Sequence, residues 1–65
     1  MAIPSDFYIN FERFKFNLDK SIDWLINSWE FKHENIDWQI CRLKHKKYHK
    51  IALKYLKRAN KYLNG

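Results

Sequence analysis

Cys41, His45 and His49 follow one another at four-residue intervals, a ladder that one side of an α-helix would offer to a single metal ion. Thiolate and imidazole together make a chemically sound zinc set, and zinc takes three or four such ligands. No Asp or Glu stands nearby, however, and Arg42, Lys44, Lys46, Lys47, Lys50 and Lys54 surround the ladder with positive charge. A dication would be repelled, so the expectation is no metal and no cofactor, with a core cysteine and two histidines at its rim. Catalytic arrangements are absent too. There is no nucleophile elbow, no glycine-rich phosphate loop and no pair of carboxylates placed to share a proton. With one Gly in 65 residues a concave pocket is hard to build inside one chain, so no catalytic residue is assigned and no enzyme is expected.

The remaining chemistry is electrostatic. Residues 1–35 carry four basic and six acidic side chains, whereas residues 36–65 carry nine basic side chains and one acid, Asp37. Lys46, Lys47, Lys50, Lys54, Lys57, Arg58 and Lys61 fall on one side of a 3.6-residue helix. Cys41, Tyr48, Ala52, Tyr55, Ala59 and Tyr62 fall on the other, flanked by Ile51, Leu56 and Leu63. A one-sided row of cations on a rigid helix is suited to a phosphate backbone, by binding that weakens steeply with salt. Only Arg42 and Arg58 supply guanidinium groups in this helix, so non-specific or shape-based recognition is expected rather than base reading. Tyr48, Tyr55 and Tyr62, seven residues apart, are read as core rather than as base-stacking platforms. The bland counterpart is a solvated lysine face that keeps an aromatic-rich protein dispersed.

Two helices must position that row. Ser5 and Asp6 after Pro4 make a helix start, with Ser5 as N-cap. From there Phe7, Phe11, Phe14, Leu18, Ile22, Leu25 and Trp29 recur every three or four residues and predict one apolar stripe. A second set, Ile9, Phe16, Trp24 and Phe31, is spaced by seven, eight and seven residues and lies roughly opposite. A helix greasy on two sides is sandwiched, which assigns these four residues to a partner or dimer interface. Ser21-Ile22-Asp23-Trp24 is echoed by Asn35-Ile36-Asp37-Trp38, each a capping-type residue followed by Ile-Asp-Trp. Asn35 is therefore the expected cap of the last helix, with the turn in Lys32-His33-Glu34. Asn17, Asp19 or Ser21 would cap an extra break if the chain makes three helices. The fold class is all-α, an antiparallel hairpin (or three helices) with a long basic C-terminal helix, dimerising into a bundle.

Composition agrees with a single small helical domain spanning 1–65. Hydrophobic residues make up 46% and charged residues 31%, which is globular rather than disordered. So short a chain leaves much of its surface wet and needs reinforcement. One cysteine allows no internal disulfide, which leaves self-association as the accessible solution. No apolar run approaches a membrane span and Met1–Asp6 lacks the pattern of a signal peptide, so a cytoplasmic chain with a reduced thiol is expected. Half of the residues are Lys, Asn, Ile, Tyr or Phe, types with AT-rich codons that suit a low-GC bacterium, its phages or mobile elements.

The segment from Tyr48 to Tyr62, with Ala52, Leu56 and Ala59 at its packing positions, resembles the second helix of a tetratricopeptide repeat. The resemblance covers about fifteen residues and implies helix-pair packing only. Ile36 and Ile40 stand where that family has Trp and Gly, and Lys44-His45-Lys46-Lys47 offers no turn. The function expected is nucleic-acid binding through the lysine face. The alternative is a phage- or mobile-element-type interaction module that inhibits or bridges a host protein, including one that handles nucleic acid. Adsorption of the Lys-rich helix to anionic membranes fits less well, because its apolar side is claimed by the N-terminal stripe.

Overall fold

The computed structural model describes residues 3–64. It contains two α-helices, α1 (Ser5–Ser28) and α2 (Ile36–Asn64), packed side by side as a hairpin. The hairpin is a thin rod, with Cα extents of 52 × 13 × 11 Å. Neither helix is long and apolar enough to cross a membrane.

α1 starts one residue earlier than a Ser5 cap would place it. Pro4 occupies the cap, its carbonyl accepts from the Phe7 amide at 3.0 Å, and no side chain caps the helix. The helix then runs through Asn17–Ser21 without a break, so the described residues form two helices and not three. Two of the polar residues that resembled caps make other hydrogen bonds. Asn17 Nδ2 donates to the Arg13 carbonyl at 2.8 Å, and the Ser21 hydroxyl meets α2 instead.

After Ser28 the chain tightens into three-residue hydrogen bonds, Trp29 to Ile26, Glu30 to Asn27 and Phe31 to Ser28. A second such bond, Asn35 to Lys32 at 2.9 Å, closes the turn. No residue there takes a positive φ, which is why the reversal needs no glycine. Asn35 caps α2 as expected, its Oδ1 accepting from the Asp37 amide at 2.8 Å. Asp37 in the first turn and Lys61 in the last both suit the helix dipole.

The buried side chains among the described residues are all small: Ser21, Ser28, Cys41, Ala52 and Ala59. Ser21 faces His45 across the seam. Steps of seven residues in opposite directions then bring Phe14 level with Ala52, Phe7 with Ala59, and Ser28 with Trp38. Every level pairs one bulky side chain with one small one. That lets the backbones approach closely while the rings lie along the groove.

The seam corrects the apolar stripe anticipated for α1. Phe7, Phe11, Phe14, Leu18 and Leu25 do flank α2, but Ile22 and Trp29 lie exposed and the buried line passes through Ser21 and Ser28. Two helices that wrap around each other follow a 3.5-residue repeat, so a stripe drawn at 3.6 residues drifts off the contact.

Candidate nucleic-acid interface

The hairpin has four sides, and each carries a different chemistry. One flank is polar. Three cations cross it onto aromatic rings of the opposite helix: Arg13 over Tyr55 at 5.7 Å, Lys20 over Tyr48 at 5.6 Å and Lys44 over Trp24 at 4.7 Å. Each contact contributes about 0.5–1 kcal/mol at an exposed site, and together they fix the register of the helices. Tyr48 and Tyr55 are accordingly half-buried, and Tyr62 is exposed.

The opposite flank is apolar on α1, where Tyr8, Phe11, Leu18, Ile22, Leu25 and Trp29 line it with Lys15 lying over Phe11, and mixed on α2, where Arg42, Lys46 and His49 alternate with Leu53, Leu56 and Leu63. Trp29 is 70% exposed, Leu53 45% and Ile22 44%.

The outer face of α2 changes character half-way along. Near the turn it is Ile36, Ile40 and Leu43, all exposed. Beyond His45 it becomes Lys47, Lys50, Lys54, Lys57 and Lys61, alternating in steps of three and four, so that one ammonium follows the last about every 5 Å. Lys46 lies to the apolar side of this row and Arg58 to the polar side, where its guanidinium sits 5.5 Å from the Tyr55 ring. Lys47 lies 5.8 Å from the Tyr48 ring. A shallow depression of about 400 Å³ between Lys50, Leu53, Lys54 and Lys57 interrupts the row.

All seven of these cations are exposed, and none makes an ion pair among the described residues. The ion pair found there is Lys15–Glu12 at 3.8 Å, within α1. Glu12, Asp19 and Asp23 do not reach the row, because they occupy the outer face of α1, on the far side of the rod.

The four residues assigned to a partner face do not form one surface. Ile9 and Phe16 lie on the outer face of α1, with Phe16 60% exposed beneath the Lys20 ammonium. The eight-residue step from Phe16 to Trp24 moves the set about 100° around the helix. Trp24 and Phe31 therefore sit half-buried at the polar flank, lining a depression of about 290 Å³ with Glu30, Asp37 and Cys41 near the turn.

The Cys41, His45 and His49 ladder also separates. Cys41 is buried and His49 is exposed. His45 turns into the seam, its Nδ1 2.9 Å from both the Ser21 hydroxyl and the Ser21 carbonyl oxygen. Its ring remains stacked on His49, with centroids 6.0 Å apart. Among the described residues no three His, Cys, Asp or Glu side chains converge to hold a metal. His45 is thus part of the helix contact, a role that the i, i+4 spacing alone did not reveal.

No protein-family model matches this chain, and neither does any curated protein or solved structure.

Proposed function

We propose that this chain is a small cytoplasmic nucleic-acid-binding protein that acts without catalysis, through Lys46, Lys47, Lys50, Lys54, Lys57, Arg58 and Lys61. The observation that carries the proposal is the unpaired state of these groups: seven exposed cations along one helix, none in an ion pair among the described residues, with Glu12, Asp19 and Asp23 on the opposite side of the rod. Cations already neutralised would release no counterions from a polyanion, whereas these would. Lysine point charges in a row favour backbone contact over base reading.

Fluorescence anisotropy with labelled single- and double-stranded oligonucleotides across a salt series tests it. Affinity should fall steeply with salt, and the triple variant Lys50→Glu, Lys54→Glu, Lys57→Glu should abolish binding and leave the helical circular-dichroism signal intact. Indifference to both salt and added DNA or RNA would end the proposal.

A second reading is supported by Ile9 and Phe16, two large apolar side chains exposed on the outer face of α1 among acids. A protein target could dock there, as expected of an inhibitory or bridging module. Capture of one stoichiometric protein that survives nuclease treatment and is lost in Phe16→Glu would favour it over nucleic acid.

A further inference from the structure

The close seam leaves one flank that is both apolar and positively charged. Ile22 and Trp29, expected to be covered by α2, stand on it 44% and 70% exposed. Tyr8 on α1, with Leu53 and Leu63 on α2, extends the exposed hydrocarbon along the rod. From Tyr8 to Trp29 the helix rises about 31 Å. Cations are set within this span. Lys15 Nζ lies 6.0 Å from the Phe11 ring, and Arg42 Cζ lies 5.7 Å from the Trp38 ring. Lys46 follows Arg42 by one turn and is exposed. We propose that this flank lies on an anionic lipid surface, its apolar side chains at the headgroup boundary and these three cations on the lipid phosphates.

Charge complementarity supports that occupant. Of the seven acids, Glu12, Asp19 and Asp23 occupy the outer face of α1, and Glu30 and Asp37 line the depression at the polar flank. Asp6 stands seven residues before Arg13 on that polar side, and Glu34 lies in the turn. The flank thus presents hydrocarbon and positive charge with no carboxylate to repel an anionic surface. Lys15 reaches Glu12 at 3.8 Å, but both are exposed and such a pair yields at little cost.

The kinds of side chain agree. Lys15 and Arg42 lay their stems along rings, so each can sink its hydrocarbon and lift its charge to a headgroup. Tyr8 and Trp29, towards opposite ends of the flank, are residue types that settle at a membrane–water boundary. Nucleic acid would use the cations and leave Ile22, Leu53 and Leu63 without a partner. A second copy would use the hydrocarbon and bring like charges together. Anionic lipid uses both. The apolar side of α2 packs on α1, so α2 alone has no such face; this one is built by both helices and needs neither to open. Lys46 is shared with the proposed nucleic-acid face, whereas Lys15, Arg42 and the apolar side chains are not.

Co-sedimentation of nuclease-treated protein with vesicles tests it, using mixed phosphatidylcholine–phosphatidylglycerol against phosphatidylcholine alone. The protein should bind the anionic vesicles, with tryptophan emission moving to shorter wavelength. Phosphatidylcholine alone should hold it about a hundredfold more weakly, since each cation near an anionic surface contributes about fivefold. Joint Ile22→Ser and Leu53→Ser substitution, at exposed positions, should lower vesicle binding about tenfold, with helicity and oligonucleotide binding as in the parent. Trp29→Gln, at the most exposed of these sites, should remove most of the emission shift and keep the fold. The vesicle result stands whether or not the protein binds oligonucleotides. Indifference to both vesicle types overturns the proposal. So does undiminished binding by both variants, which would leave adsorption to the lysine row alone. Loss of oligonucleotide binding in these variants would give the flank to nucleic acid. A solution mass of twice 8.1 kDa that they return to one chain would give it to a second copy.

Discussion

Ala52 has no exposed surface and lies level with Phe14, so its methyl group sets how closely the helices approach. Ala52→Leu should force them apart and cost about 1–3 kcal/mol. In a domain of this size that lowers the melting temperature by about 4–8 °C per kcal/mol, measurable by circular dichroism. A variant as stable as the parent would mean that the seam is looser than described. Ser21→Ala removes a hydroxyl next to His45 Nδ1 but leaves the carbonyl contact, and should cost about 0.5–1.5 kcal/mol. A double-mutant cycle with His45→Ala isolates the coupling, and additive effects would refute it. Ala52 was legible as a packing residue, whereas the serines of the seam were concealed. Ser21 and Ser28 score as polar, so hydrophobic patterning ran through their neighbours Ile22 and Trp29. A close helix contact selects for small volume, which hydropathy does not register.

Helix ends were more legible than helix faces. Asn35 was readable as a cap because a short acceptor side chain ahead of Ile36-Asp37 has few other uses. Asn35→Ala should cost about 0.5–2 kcal/mol in urea unfolding, whereas Ser5→Ala, with no capping bond to lose, should change little. Equal costs at the two positions would contradict the observed start of α1. The extra break near Ser21 was suggested by residues that look like caps but turn their hydrogen bonds elsewhere, a distinction that depends on the neighbouring helix. The partner face was misdrawn by one residue of spacing, since an eight-residue step leaves the side that seven-residue steps maintain.

Across the whole rod, the half that holds the chain ends (residues 3–18 and 48–63) carries seven cations and two acids, with no ion pair beyond Lys15–Glu12 among the described residues. Repulsion between them opposes folding, and salt screens it. Raising ionic strength from about 50 mM to about 500 mM should therefore increase the melting temperature by about 2–4 °C, roughly 0.5 kcal/mol. A fall would point to attractive pairs that these side chains do not show. The charge split itself was plain in the sequence, since it needs only counting. Its confinement to one helix's outer face, and to half of that face, required the packing.

That confinement makes the outer face of α2 a ruler. Lysines occupy it only from Lys47 to Lys61, a rise of about 21 Å, before Leu43, Ile40 and Ile36 take over towards the turn. At 3.4 Å of axial rise per base pair, such a span matches about six base pairs of a duplex. Under the proposed function, lengthening an oligonucleotide should tighten its hold on the row up to that size and add little beyond it, because the hydrocarbon stretch has nothing to offer the next phosphate.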